Sequence, residues 1–424
     1  MVWIAKPLGL NVLLSSLVVI LPIIFFSNSS VIILTQIAIT IVFALSYNMV
    51  LGQAGMLSFG HAVYMGIGGF AVVHVMDGVF GGGVPLPILP LFGGLFSLGV
   101  ASIVGGFSTR RGGISFAMIS LGMVELVASF SIIIIVFFRS GGMLWDRTEA
   151  PHFFGIDFAR QIEVYYLVAG WMLLSGMAMY LFTVTPIGRL ANAVRDNPER
   201  IEFIGYSARW VRFYSFCGAG FFAGVAGALS AITFEIASAE NLTVQASGII
   251  LLIAFLGGIG VFYGPILGAI IFTLLQSVLS QQTDLWELYV GVLFLMTVMY
   301  VPSGLAGILL LHTVPIAYGT AGPLIVPYLR FIVPAFLGLC GCVAFAEILN
   351  HARKAVVGSG EMVLFWMQIN TDDVVPWCVA LSLAVVGIWT AKSQAKTLKE
   401  AWHTATLMES APEGAASNPR RGIV

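Results

Sequence analysis

Between Thr185 and Arg212 the chain reads TPIGRLANAVRDNPERIEFIGYSARWVR, the one long run of ordinary soluble-protein sequence in a polypeptide otherwise composed for lipid. It carries Arg189, Arg195, Arg200, Arg209 and Arg212 against three acids, Asp196, Glu199 and Glu202. Apolar segments long enough to span a bilayer lie on both sides, Val164 to Val184 and Phe213 to Phe234. A connection between membrane helices needs only a few residues, whereas this one reads as an amphipathic helix, a breaker at Asn197-Pro198 and a second helical turn. A loop of that shape is suited to touch another protein, although an amphipathic helix resting on anionic lipid has the same periodicity.

Working outward, hydrophobic residues make up 59% of the 424 and charged residues 9%, with a mean hydropathy of +0.99. No water-soluble core and surface reconcile those values. The first hundred residues hold two charged side chains, Lys6 and Asp77, and each charge at a bilayer centre costs roughly 2.5 to 3.5 kcal/mol on insertion scales. The apolar runs are continuous and of helix-spanning length, not short and alternating as in a membrane barrel. The fold class predicted is therefore an all-α integral membrane protein, a polytopic helical bundle with about ten to twelve membrane segments, some short or broken by glycine. A net charge of −1 points to no nucleic-acid surface. Cys217, Cys340, Cys342 and Cys378 sit in apolar runs, where small buried thiols are expected in place of disulfides or metal ligands.

The candidate segments are Leu8–Phe26, Val31–Leu51, Leu57–Met76, Val84–Val104, Gly113–Phe138, Val164–Val184, Phe213–Phe234, Ser247–Leu256, Pro265–Leu279, Trp286–Val301, Pro323–Ala346 and Val375–Trp389. With Lys6 inside, the loop holding Arg110 and Arg111 and the loop at 185–212 both fall on the cytoplasmic side, as the positive-inside rule prefers. Arg139 to Glu163, mixing arginines with acids, falls outside. The organisation expected is a first span over 1–30, a transport domain over 31–310, an extension over 311–391 with about two further segments, and a cytoplasmic, largely disordered tail over 392–424.

Two glycine clusters interrupt short apolar segments in opposite halves of the chain: Leu51 to His61, with Gly52 and Gly55, and Leu256 to Pro265, with Gly257, Gly258, Gly260 and Gly264; Gly268 follows. Such clusters mark either close helix packing or helices broken near the midplane of a transporter. A broken helix frees backbone groups that lipid cannot satisfy, so the polar residues nearby, Gln53, Ser58, His61 and Tyr64, are candidates for a solute path. His61 alone is equally compatible with a plain interhelical hydrogen bond. Glu125, mid-span in Gly113–Phe138, is costly in lipid and is read as a path residue, an inter-subunit contact or a neutral packing group. There is no Gly-Lys pair for a phosphate-binding loop, no metal-ligand spacing and no nucleophile arrangement. An enzyme is not expected, nor a metal or bound cofactor.

Several pieces together resemble one family, the LivM-type membrane permeases of ABC importers for branched-chain amino acids, a group that includes urea-transporting relatives. The most specific is Pro186 to Arg200, followed by Phe203-Ile204-Gly205-Tyr206 and the glycine-rich stretch Gly220 to Leu229. Leu51–Gly69, Arg111–Leu121 with Glu125, Phe255–Gly268 and Val301–Leu305 support it. The resemblance implies that the loop docks into a groove of a cytoplasmic ATPase through Arg189, Asn192, Arg195, Asp196, Asn197, Glu199 and Arg200, with Leu190, Val194 and Ile201 as apolar anchors. It implies partners too: a related permease subunit, two ATPase subunits that use the ATP, and a periplasmic binding protein, at a bacterial inner membrane. Branched-chain or other hydrophobic amino acids are the solutes implied; urea, short amides or small carboxylates are the alternative, and an ion-coupled secondary transporter is the alternative from another class. The outer stretch Phe138 to Trp145 departs from the family's pattern, and the chain continues well beyond the family's usual end.

Overall fold

The computed structural model describes residues 18, 20–25, 27–76, 83–133, 143–149, 158–317, 322–354, 361–364 and 367–407. The chain forms two compact units, Met1–Gly307 and Ile308–Val424. The first contains α1 (Asn28–Asn48), which widens into a π-helical turn at Met49–Gln53, then α2 (Ala62–His74), α3 (Leu89–Ser108), α4 (Ile114–Ile133) and α5 (Gln161–Val184). The soluble-looking stretch becomes α6 (Pro186–Asp196) and α7 (Pro198–Phe203), followed by α8 (Ala208–Phe234), α9 (Val244–Gly257), α10 (Gly264–Gln282), α11 (Trp286–Tyr300) and the start of α12 (Gly304–Ala317).

Helix is the form that lets a backbone satisfy its own polar groups in hydrocarbon. Among the described residues eight helices are long and apolar enough to cross a membrane, and α11 with α12, bent by 48° at their junction, makes a ninth if counted as one span. Leu57–Met76 and Ser247–Leu256 come out as the short helices α2 and α9, of 13 and 14 residues. Leu8–Phe26 lies largely outside the described residues.

The centre of the first unit is α8, with 78% of its most apolar window buried against 56% or less in every other spanning helix. Its glycines set how closely its neighbours approach. A Cβ added to Gly227 would stand 1.7 Å from the Met65 carbonyl oxygen of α2, and one added to Gly224 would stand 2.4 Å from the Ser97 side chain of α3. Small residues therefore place α2 and α3 in backbone contact with α8. The Ser97 hydroxyl donates to the Tyr64 carbonyl at 2.8 Å, so α3 also holds α2 by a hydrogen bond.

A two-residue strand β1 (Met143–Leu144) pairs antiparallel with β2 (Ile236–Ala237). Arg147 lies 3.2 Å from the Glu235 carboxylate and donates to the Thr233 carbonyl, also at 3.2 Å. Glu235, at the end of α8, is thus an ion-pair partner.

In the second unit α13 (Ile325–Lys354) and α14 (Val374–Leu407) flank a hairpin of β3 (Glu361–Leu364) and β4 (Met367–Asn370). Gly338, Gly341 and Gly387 let α13 and α14 touch backbone to backbone. Two expectations are corrected here. Residues 392–407 continue α14 as helix, because Ala, Lys and Leu in that stretch are good helix formers; Met408–Val424 lies outside the described residues. The cysteines are free, but Cys342 and Cys378 are exposed, facing away from the packed side of their helices, and only Cys217 is buried.

Candidate functional site

The loop is built by two caps. The Thr185 hydroxyl accepts the Gly188 N–H at 3.2 Å with Pro186 at the first helical position, and this starts α6. Asn197 ends α6 in an extended conformation, and its side-chain oxygen accepts the Arg200 N–H at 3.0 Å to start α7. The strongly one-sided sequence then decides which face turns in. Gly188, Ala191, Val194 and Ile201 are buried in this chain, with Val194 1% and Ile201 4% exposed. Val194 and Ile201 therefore anchor the loop to its own helices, which corrects their assignment as anchors in a partner's cleft. The apolar side chains that point outward are others: Phe203, 89% exposed, with Ile204 at 62% and Tyr206 at 53%.

Arg189, Asp196, Glu199 and Arg200 are exposed, and Asn192 is half-buried. Arg195 behaves differently. Its Nε lies 3.1 Å from the Asp196 carboxylate, and its Nη1 donates to the backbone carbonyl of Gly52, in the π-turn that ends α1. Gly55 has φ +66 and packs so closely on the Arg195 stem that a Cβ there would meet Cγ at 2.6 Å. Only glycine suits both that backbone conformation and that contact. Asn197 likewise spends its side-chain oxygen on a cap.

The point Arg195 grips is the broken end of a helix. After the π-turn the chain runs irregularly through Ala54–Gly60 before α2 begins at Ala62. The Phe59 N–H donates to the Ser120 hydroxyl of α4 at 3.0 Å, and the Ala62 N–H to the Ser247 hydroxyl of α9 at 3.1 Å. The Tyr47 hydroxyl donates to the Ser58 carbonyl at 3.0 Å. The second cluster breaks at the junction of α9 and α10. Gly258 has φ +108 and lies against the Ser303 carbonyl, while Gly257, Gly264 and Gly268 bring the two helices into backbone contact; Gly260 faces open space. The two breaks meet, since a Cβ on Gly52 would stand 2.7 Å from the Ile259 carbonyl oxygen.

Between them lies a buried polar cluster. Ser46 donates its proton to the Phe43 carbonyl at 2.7 Å, so at 2.9 Å from His61 Nε2 it can only accept. That assigns the His61 proton to Nε2 and leaves Nδ1 as a bare lone pair. His61 is fully buried, stacked on Phe43 at 5.6 Å and edge-on to Tyr47 and Tyr64. His61 Nδ1, Asn48 Oδ1, Gln53 Oε1 and Ser58 Oγ are all buried without a hydrogen-bond partner. Four orphaned polar atoms at one helix break are costly, at roughly 1 to 3 kcal/mol each, and such a cost is borne where something else needs those atoms. His61 and Tyr64 thus meet, and Tyr47 ties Ser58 to them, while Gln53 is buried in the π-turn with its side-chain oxygen unpartnered. Asn48 joins them unforeseen, because an asparagine inside an apolar run gives no local sign of lying one turn from a break. Glu125 is elsewhere, on an exposed face of α4.

A family model described as the branched-chain amino acid transport system permease component matches residues 29–301. The chain belongs to this permease family. Two relatives carry the name high-affinity branched-chain amino acid transport system permease protein LivM. The one from Salmonella typhimurium is 26% identical over 305 residues, covering 66% of this chain and 70% of the relative. The one from Escherichia coli is 26% identical over 307 residues with the same coverage. No solved structure matches the chain significantly. The chain is accordingly a multi-pass inner-membrane permease subunit of ABC-importer type, which sets aside the ion-coupled reading; transport permeases are not an enzyme class. Permeases of this kind act with ATPases and a binding protein. The family match ends at residue 301, just before the boundary between the two units.

Proposed function

We propose that this permease imports branched-chain or other hydrophobic amino acids together with a related permease subunit, two cytoplasmic ATPases and an external binding protein. ATP is bound by the ATPases and no cofactor by this chain. The observation that carries the mechanism is the hydrogen bond from Arg195 to the Gly52 carbonyl. In this reading Phe203, Ile204 and Tyr206 seat in the ATPase, with Arg189, Glu199 and Arg200 as the charged rim that fixes register. When the ATPases close, the loop moves and Arg195 carries the broken end of α1 with it. The polar cluster beside that end is fully enclosed here, so the path is shut. Shifting the broken end of α1, with Tyr47 and Ser46, away from His61 would open it. Its bare acceptors suit a solute that brings N–H donors, as an α-ammonium group does, while Phe43, Tyr47 and Tyr64 suit an apolar side chain.

The test separates transmission from docking in the reconstituted importer. Arg195→Ala should keep the ATPases bound and hydrolysing while uptake falls at least tenfold. The double variant Phe203→Ser with Tyr206→Ser should release the ATPases. Normal uptake by Arg195→Ala would overturn the role given to this residue.

A further inference from the structure

The outward face of α4 carries a carboxylate in the middle of a spanning helix. Glu125 lies eleven residues into α4, about 16 Å along its axis at 1.5 Å per residue, which is the middle of a bilayer core. It is exposed and makes no salt bridge or hydrogen bond among the described residues. One helical stripe runs with it at spacings of four, three and four: Met118, 64% exposed, then Gly122, Glu125 and Ser129, all exposed. A Cβ added to Gly122 would meet nothing within 4 Å, so among the described residues none covers the stripe at that point. Other outward helices of the first unit present Leu and Ile instead, for example Ile103 on α3 at 74%.

A carboxylate left to lipid at that depth is strongly disfavoured. A soluble ATPase or binding protein cannot reach the midplane, so its partner is itself embedded in the membrane. A copy of this chain fits badly. A two-fold interface presents the same patch from both sides, so the donor for Glu125 would have to come from this same stripe, where Met118, Gly122 and Ser129 offer one hydroxyl and no basic group. We propose that the Met118–Gly122–Glu125–Ser129 face is the contact with a related, non-identical permease subunit, which places a hydrogen-bond donor opposite Glu125 while Gly122 admits the close approach of its helix. This rests on the two-permease reading above.

The experiment uses the whole importer with all its subunits. A photo-crosslinking amino acid is placed at Met118, at Ser129 and, as control, at Ile103, and adducts are identified by mass spectrometry. Met118 and Ser129 should give adducts with the second permease, at least tenfold above Ile103. Adducts with lipid only, within this chain, or with a second copy of it would overturn the assignment of this face while the two-permease reading stands. Absence of any second permease from the purified importer would overturn both. In parallel, Glu125→Leu should lower the retained second permease at least tenfold, with Glu125→Gln near wild type, because an amide still accepts a hydrogen bond. Leucine inserts into lipid more readily than glutamate, so a folding failure would not mimic this result. Wild-type retention by Glu125→Leu would overturn the proposal.

Discussion

Replacing Gly227 by alanine puts a methyl group where the structure leaves no room. The new Cβ would lie 1.7 Å from the Met65 carbonyl oxygen and 3.1 Å from the Gly69 nitrogen, both backbone atoms that cannot swing aside. Relieving the overlap to 3.0 Å requires α2 and α8 to separate by about 1.3 Å. A gap of 0.5 to 1 Å already forfeits a quarter to a half of each dispersion contact, and overpacking costs about 1 to 3 kcal/mol or more. Alanine's better helix propensity returns only about 1 kcal/mol. We expect a net loss of about 2 kcal/mol or more, a fall in melting temperature of several degrees in the detergent-purified importer, followed by size-exclusion fluorescence. Gly99→Ala, where a Cβ meets nothing within 4 Å, is the control and should be neutral or slightly stabilising. Uptake should fall further than stability at the assay temperature, since α2 carries Tyr64 and begins beside His61. A Gly227→Ala importer as stable and active as wild type would refute the claim that Gly227 sets the backbone contact between α2 and α8.

Other expectations follow from single contacts. Gly55→Ala forces a positive φ on a side chain that collides with Arg195, so it should reproduce the uncoupled hydrolysis of Arg195→Ala; ATPase and uptake measured together check this. Tyr328→Phe removes the hydroxyl that lies 2.8 Å from His312 Nε2 and accepts from Trp402 at 2.7 Å, and should destabilise the second unit by about 1 to 3 kcal/mol in thermal unfolding. In the outer turn Asp146 accepts both the N–H and the hydroxyl of Thr148, which holds its carboxyl below the ordinary carboxylate range. Its contribution to that turn is present above the ordinary value and disappears as pH falls through the lowered one. Protection factors over 143–149, taken relative to the intrinsic exchange rate at each pH, should therefore fall in acid, and Thr148→Val should blunt the dependence.

The helices and the loop were legible because lipid and capping chemistry impose local rules. Proline at 186 and 198, threonine at 185 and asparagine at 197 mark the starts of α6 and α7 in the sequence as plainly as in the structure. The two glycine clusters likewise announced interruptions. What the sequence could not reveal depends on where distant segments arrive. Arg195 looks like any other surface arginine until the end of α1 is placed beneath it, a residue separation of 143. Val194 and Phe203 are equally apolar, and only the packing of α6 and α7 against the bundle decides that one turns in and the other out. Glu125 was grouped with His61 because both are polar residues in apolar spans; the rotation of α4 about its axis, which no single-helix pattern fixes, separates them.

The outward Phe203 also bears on how a cell counts its subunits. On the docking proposed above, a permease made without its ATPase would leave a phenylalanine, an isoleucine and a tyrosine bare, an exposed apolar tip of the kind that marks an interaction surface. Assembly hides it. The same few side chains that would receive the power stroke would thus also be what distinguishes a lone subunit from an assembled one.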